Sequence, residues 1–146
     1  RNRFPFDRVS FLAASRDPFP GGGRVQRHRK EIEMSHRFIA LDVAFQLAAS
    51  VRPVLDSLRR KDRSLEDQLR RATASVILNL AEGDGKSSLR DQARFFEIAR
   101  GSCRECRAAL RLAAIWRYID ERQTAELDAL ADRVCALLSK LIARAR

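Results

Sequence analysis

The stretch SLEDQLRRATASVILNLAEG, Ser64–Gly83, decides the fold. Leu65, Leu69, Ala72, Val76 and Leu80 recur at three- and four-residue steps, the spacing of one face of an α-helix. Ser64 is the expected N-cap, with Glu66 and Asp67 in the first turn where the helix dipole favours acids. Gly83-Asp84-Gly85 closes the segment. Within it, Val76–Ala81 is apolar on more than one face, because Ile77 and Leu78 point well away from the Leu69–Ala72–Val76 seam. Such a helix must be covered on several sides, either at the centre of a small bundle or at a contact between subunits. Asn79 lies near the seam, where an amide fixes register or caps a neighbouring backbone. Arg71, Ser75, Leu78 and Glu82 share another stripe, which makes Glu82 a partner for a basic group rather than a catalytic carboxylate.

Working outward, three more amphipathic segments appear. Upstream, Ala44, Leu47, Ala48, Val51, Leu55 and Leu58 predict a helix from about Ile39 to Leu58, which Pro53 should kink or restart. Downstream, Ser88 with Asp91 three residues on opens a helix carrying Phe95, Ala99, Cys103, Cys106, Leu110 and Ala113 to about Tyr118. A fourth follows Asp120, with Leu127, Leu130, Val134, Leu138, Leu141 and Ala145 on its seam. No segment alternates with period two for long enough to be a strand. Long helices on short connections predict an all-α, antiparallel, up-and-down four-helix bundle over residues 38–146.

The chain has 146 residues, 45% hydrophobic and 33% charged, with 29 Lys+Arg against 19 Asp+Glu. These proportions suit one globular domain and no membrane span, since no apolar run nears the ~20 residues required. Three cysteines are too few and too odd for a disulfide scaffold, so a reducing, cytoplasmic setting is expected. The net charge of +10 predicts attraction to polyanions. Residues 1–37 carry nine Lys/Arg and four acids, three of the four Pro and the Gly21–Gly23 run, without a helical or strand period. They read as a flexible basic leader. Met34 is the only methionine, so residues 1–33 are either upstream sequence before a natural start or a genuine basic tail.

The third helix carries the sharpest local signal. Arg100, Arg104, Arg107 and Arg111 fall within an arc of ~60°, on the side away from the apolar seam. Arg90 and Arg94 extend this surface toward the N-terminus, with Lys86 in the preceding loop; only Glu97 and Glu105 dilute it. The stripe is either an ordinary solvated face of an arginine-rich chain or a track for phosphates, whose geometry the guanidinium fork matches. No aromatic residue interleaves it, so base stacking is not indicated there.

Enzymatic chemistry finds little support. Cys103-Arg104-Glu105-Cys106 is a lone C-x-x-C whose cysteines sit on the apolar seam, and no His follows His36 to complete a zinc site. The same absence removes Ser–His and Cys–His catalysis. Gly83-Asp84-Gly85-Lys86-Ser87 lacks the leading glycine and the strand of a phosphate loop. No metal or cofactor is proposed.

Two blocks carry a family resemblance. The first is Gln68-Leu69-Arg70-Arg71-Ala72, Ser75-Val76 and Asn79-Leu80-Ala81-Glu82-Gly83. The second is Gly85-Lys86-Ser87-Ser88, Phe95-Phe96, Ile98-Ala99-Arg100-Gly101-Ser102 and Glu105. Together they resemble the four-helix-bundle family of 23S rRNA-intervening-sequence proteins, over about residues 38–146. Leu41-Asp42-Val43-Ala44-Phe45 is similar to the family's first helix, although an aromatic usually follows the Val directly and Pro53 is atypical. Residues 1–33 have no counterpart, which favours Met34 as the start. The resemblance implies a bacterial protein whose protomers close into a cyclic homo-oligomer, a homopentamer. A related branch serves as accessory proteins of reverse transcriptases in diversity-generating retroelements and binds nucleic acid through a basic ring surface. By matched position, Arg70, Arg71, Lys86 and Arg100 fall in motif slots. Asn79, Glu82, Gly83, Gly101 and Ser102 take structural roles, the last two allowing close helix approach.

The resulting expectation is a non-enzymatic, oligomeric nucleic-acid-binding protein, with RNA favoured over DNA. Binding would be phosphate-directed and weakly sequence-specific, through Arg70, Arg71, Lys86, Arg90, Arg94, Arg100, Arg104, Arg107 and Arg111. The alternative is a scaffold or accessory protein that meets a polymerase- or reverse-transcriptase-type partner.

Overall fold

The computed structural model describes residues 22–146, with side chains at Arg37 and from Ile39 onward. The expectation for residues 1–21 lies outside the described residues. Four helices follow in order: α1 (Gly22–Lys61), α2 (Arg63–Asp84), α3 (Leu89–Ile115) and α4 (Glu121–Arg144). Among the described residues there is no strand. Each helix packs on its neighbours in sequence, and α4 closes back on α1, giving the up-and-down bundle.

Helix ends follow side-chain chemistry. Ser88 Oγ accepts the Asp91 amide at 3.4 Å, and Asp120 Oδ1 accepts that of Gln123 at 2.7 Å, as the sequence predicts. For α2 the cap lies two residues earlier than expected. Asp62, with extended backbone, accepts the Leu65 amide at 2.9 Å, and Ser64 is already inside the helix. Both residues are good caps, and Asp62 wins because the chain leaves α1 only one residue before it. The start of α1 also differs, since helical backbone begins at Gly22 rather than near Ile39. The residues before Ile39 lack an apolar seam, so periodicity could not reveal them. Pro53 does not restart α1. It sits on the exposed side, where the Ala49 carbonyl that loses its partner is also at an exposed residue.

The core runs the length of the bundle. Val43, Leu47, Val51, Val54 and Leu58 of α1 meet Leu69, Val76 and Leu80 of α2, Phe96, Cys103 and Leu110 of α3, and Val134 and Leu138 of α4. On α3 the seam opens at Phe96 rather than Phe95, and on α4 Ala131 replaces Leu130 at the most buried position. Ile77 packs against the core, whereas Leu78 is 67% exposed.

At one end of the bundle, Gly83 passes beneath Phe96. A Cβ on Gly83 would stand 2.6 Å from Phe96 Cε1 and 3.1 Å from Phe95 Cβ, so only glycine fits there. Gly101 is different: it is exposed, and a Cβ would meet nothing within 4 Å. The expected close approach of helices at Gly101 does not occur within the protomer. It falls instead at Ser102, whose Oγ lies 2.8 Å from Ser75 Oγ on α2. Asn79 joins the same chain of contacts, donating to the Ser75 carbonyl at 2.8 Å and to Ser75 Oγ at 3.0 Å. Three small polar groups thus fix the register of α2 on α3.

Candidate nucleic-acid interface

The predicted arginine stripe does not lie opposite the core. It runs along the edge where α3 meets α4. Arg107 is the best-held member: its Nε donates to Asp128 Oδ1 at 2.7 Å and its Nη2 to Asp128 Oδ2 at 3.0 Å. Its Nη1 reaches Asp132 Oδ1 at 2.8 Å. This fork holds the Asp128 carboxyl below the ordinary carboxylate range. Arg111 reaches the same carboxylate at 3.4 Å, and Arg100 donates to Ser139 Oγ at 3.3 Å. Arg107, expected among the nucleic-acid contacts, is thus also a strut between α3 and α4. The sequence carried the missing signal in the Asp128–Asp132 pair, one turn apart on α4.

Arg104 makes no ion pair among the described residues, and neither do Arg90 and Arg94. The last two line a recess of about 460 Å³ at the far end of the same edge, with Glu97 and Arg146, which pair with each other. Of the α2 residues, Arg70 pairs with Asp67 at 2.6 Å and Arg71 with the same carboxylate at 3.0 Å. Both are exposed, where such pairs are worth little and exchange readily for another anion. Lys86 pairs with Glu82, as expected of Glu82, and its Nζ stands 5.1 Å from the Phe95 ring centroid. The structure thus gathers Arg90, Arg94, Arg100, Arg104 and Arg111 on one edge. It leaves Arg70 and Arg71 on α2 and ties up Arg107.

Two residues missed by periodicity shape the end nearest Lys86. Gln92, nearly fully buried, donates to the Lys86 carbonyl at 2.7 Å and accepts from Arg37 Nη2 at 2.8 Å. Arg37 also pairs with Asp84 at 3.0 Å, so a residue placed in the leader braces the α2–α3 loop.

The cysteines are core and edge residues. Cys103 and Cys106 are fully buried, with Cys103 Sγ donating to the Ala131 carbonyl at 3.2 Å and Cys106 Sγ 3.6 Å from Thr73 Oγ1. Cys135 is half-buried on α4. The neighbouring Cys103 thiol pulls Cys135 down to about 7, with Arg107 and Arg104 also favouring the thiolate. Burial pushes Cys106 up to about 11. Among the described residues, no group of three or more Cys, His, Asp or Glu is arranged to hold a metal ion.

Fold and site together describe an antiparallel four-helix bundle with one arginine-rich edge. The chain belongs to the 23S rRNA-intervening sequence protein family, whose model matches residues 36–140. A similar fold occurs in the crystal structure of a protein of unknown function from the S23 ribosomal protein family of Bacteroides thetaiotaomicron. The TM-score is 0.67 at 20% sequence identity, over 70% of this chain and 97% of that one. No curated protein gives a significant match. No helix among the described residues is long and apolar enough to cross a membrane.

Proposed function

We propose that this protein is a non-enzymatic nucleic-acid-binding protein that acts on structured RNA in the cytoplasm. The carrying observation is the α3 edge, where among the described residues Arg90, Arg94 and Arg104 stand without an acidic partner and Arg100 is engaged by a serine hydroxyl. Helical rise spaces these guanidinium groups along a track comparable to a phosphate backbone. Contacts of this kind read charge and shape rather than base edges, so binding is weakly sequence-specific and falls steeply with salt. Membership of a family named for rRNA intervening sequences supports RNA as the polyanion.

The reading includes assembly of several copies, for which a homopentamer is the proposed state. The Ser75–Ser102 bond sets Leu78 and Ile98, each one turn away from it, on the same stretch of α2–α3 surface. Both are exposed, and the bare Gly101 lies between Ile98 and Ser102 on α3. A second copy covering this face would repeat the arginine edge around a ring and raise avidity without new contacts. The same exposed face favours a second reading, a scaffold for a polymerase- or reverse-transcriptase-type partner.

The test is binding of a structured RNA across a salt series, with light scattering for mass. Binding that weakens steeply with salt and drops on charge reversal of Arg104 and Arg94 supports the reading. A flat salt response overturns it, and a monomeric mass overturns the assembly. Charge reversal that abolishes a protein contact but leaves RNA binding intact favours the scaffold.

A further inference from the structure

At the end of the bundle remote from Lys86, α3 stops in a turn that normally calls for glycine. The Tyr118 amide donates to the Ala113 carbonyl at 2.8 Å and the Arg117 amide to that of Ala114 at 2.9 Å. This paired closure places the first residue past the helix end in the left-handed region, and that residue is Arg117, with φ 57°. It is the one non-glycine residue with positive φ among those described. A side chain in that conformation costs about 1 kcal/mol, a cost that clusters at functional positions.

The turn sets two aromatic rings on either side of the arginine. Trp116 and Tyr118 meet edge to face with centroids 5.8 Å apart, and Trp116 remains 48% exposed. Ile115 beside it is 72% exposed. The C-terminus of α1 brings cations to the same place. Lys61 Nζ donates to the Tyr118 carbonyl at 3.0 Å and stands 5.8 Å from the Tyr118 ring centroid, with Arg60 in the same last turn and Arg59 there paired to Glu66 at 4.0 Å. The nearby carboxylates of Asp62 and Asp120 are engaged by backbone amides at the starts of α2 and α4. A groove of about 710 Å³, lined in part by Arg117, Tyr118 and Ile119 with Glu121 as its remaining acid, runs alongside.

We infer that this end of the bundle binds unpaired nucleotides, with a base stacked on Trp116 and the phosphates beside it met by Arg117 and the α1 C-terminal cations. The combination of an exposed ring and flanking cations is what single-stranded nucleic acid requires, whereas a base-paired helix offers no free base face. The exposed apolar area is only a few residues wide, which suits a base better than a bilayer. The inference rests on the proposed RNA binding and adds to it: the α3 edge takes backbone of either form, and this end discriminates for single strands.

Trp116 is the only tryptophan, so its fluorescence reports this site alone. The full chain is titrated at low salt with oligouridylate and with an RNA duplex of equal length, while filter retention measures total binding of each. Quenching of Trp116 by the single strand and not by the duplex is the expected result. Trp116→Ala then weakens single-strand binding about tenfold, Trp116→Phe retains most of it, and duplex binding is unchanged in both. Arg117→Gly, which relaxes the turn, raises the melting temperature while weakening the single strand. Duplex retention with no quenching by either RNA overturns the inference and leaves the proposed function standing. Retention of neither RNA overturns both. A blue shift on phosphatidylserine vesicles, without quenching by oligouridylate, overturns it in favour of a membrane surface.

Discussion

Gly83 lies so close beneath the Phe96 ring that a methyl group on its Cα would stand 2.6 Å from Cε1 and 2.9 Å from Cδ1. The two residues join the end of α2 to the start of α3, and a buried ring of this kind has little room to retreat. Gly83→Ala is therefore expected to destabilise the protein by about 1–3 kcal/mol. Gly101→Ala should do the opposite, raising protomer stability by up to about 1 kcal/mol through helix propensity alone. Chemical denaturation of the two variants checks the pair. Light scattering on Gly101→Ala checks in addition whether the bare glycine is needed between copies.

The caps of α2 give a second contrast. Asp62→Ala removes the acceptor of the Leu65 amide and should cost about 1 kcal/mol. Ser64→Ala, one residue inside the helix, should stay within about 0.5 kcal/mol of the parent. Thermal unfolding of both distinguishes them, and equal losses would return the cap to Ser64.

Arg104 and Arg107 are one turn apart and are expected to behave differently. Arg107→Ala breaks a three-bonded tie between α3 and α4 and should lower stability by about 1–2 kcal/mol. Arg104→Ala should leave stability nearly unchanged and shift the salt dependence of RNA binding instead. Urea unfolding beside a salt-titrated binding curve separates the two roles.

Cys135, depressed to about 7, should be the first cysteine alkylated by iodoacetamide in the native protein at neutral pH. Cys103 and Cys106 should react only on unfolding, which peptide mass mapping will show. The pH dependence follows from the signs. The Cys135 contribution is full above its ordinary 9.0 and disappears as the pH falls through about 7. Cys106, raised from 9.0 to about 11, contributes in full below 9.0 and loses its share as the pH rises through 11. Urea unfolding should show the parent gaining on Cys135→Ser between pH 7 and 9, with both losing above that range.

The architecture was legible because each core helix announces itself by spacing. Leu69, Val76 and Leu80, or Val134, Leu138 and Leu141, need only the period of the helix to be found. The site was legible only in part. Periodicity places Arg104 and Arg107 on one face but says nothing of the neighbouring helix, and it is Asp128 across the α3–α4 seam that decides which of them is free. Gln92 and Arg37 escaped for the same reason, since their partners are 6 and 47 to 55 residues away and no local rule links them. Arg117 was invisible because a left-handed turn is expected to contain glycine, and an arginine there leaves no trace in a pattern of residue types.

Asp128 and Asp132 have a consequence for what the arginine edge will accept. They form a built-in decoy, since a phosphate approaching Arg107 must displace a carboxylate that never diffuses away. A lone mononucleotide or a sparse acidic peptide loses that competition. A folded polyanion that engages the open arginines first brings its next phosphate up at a local concentration able to win it. Under the proposed RNA binding, Arg107 would in this way answer only to dense anions, while the open arginines beside it would answer to any.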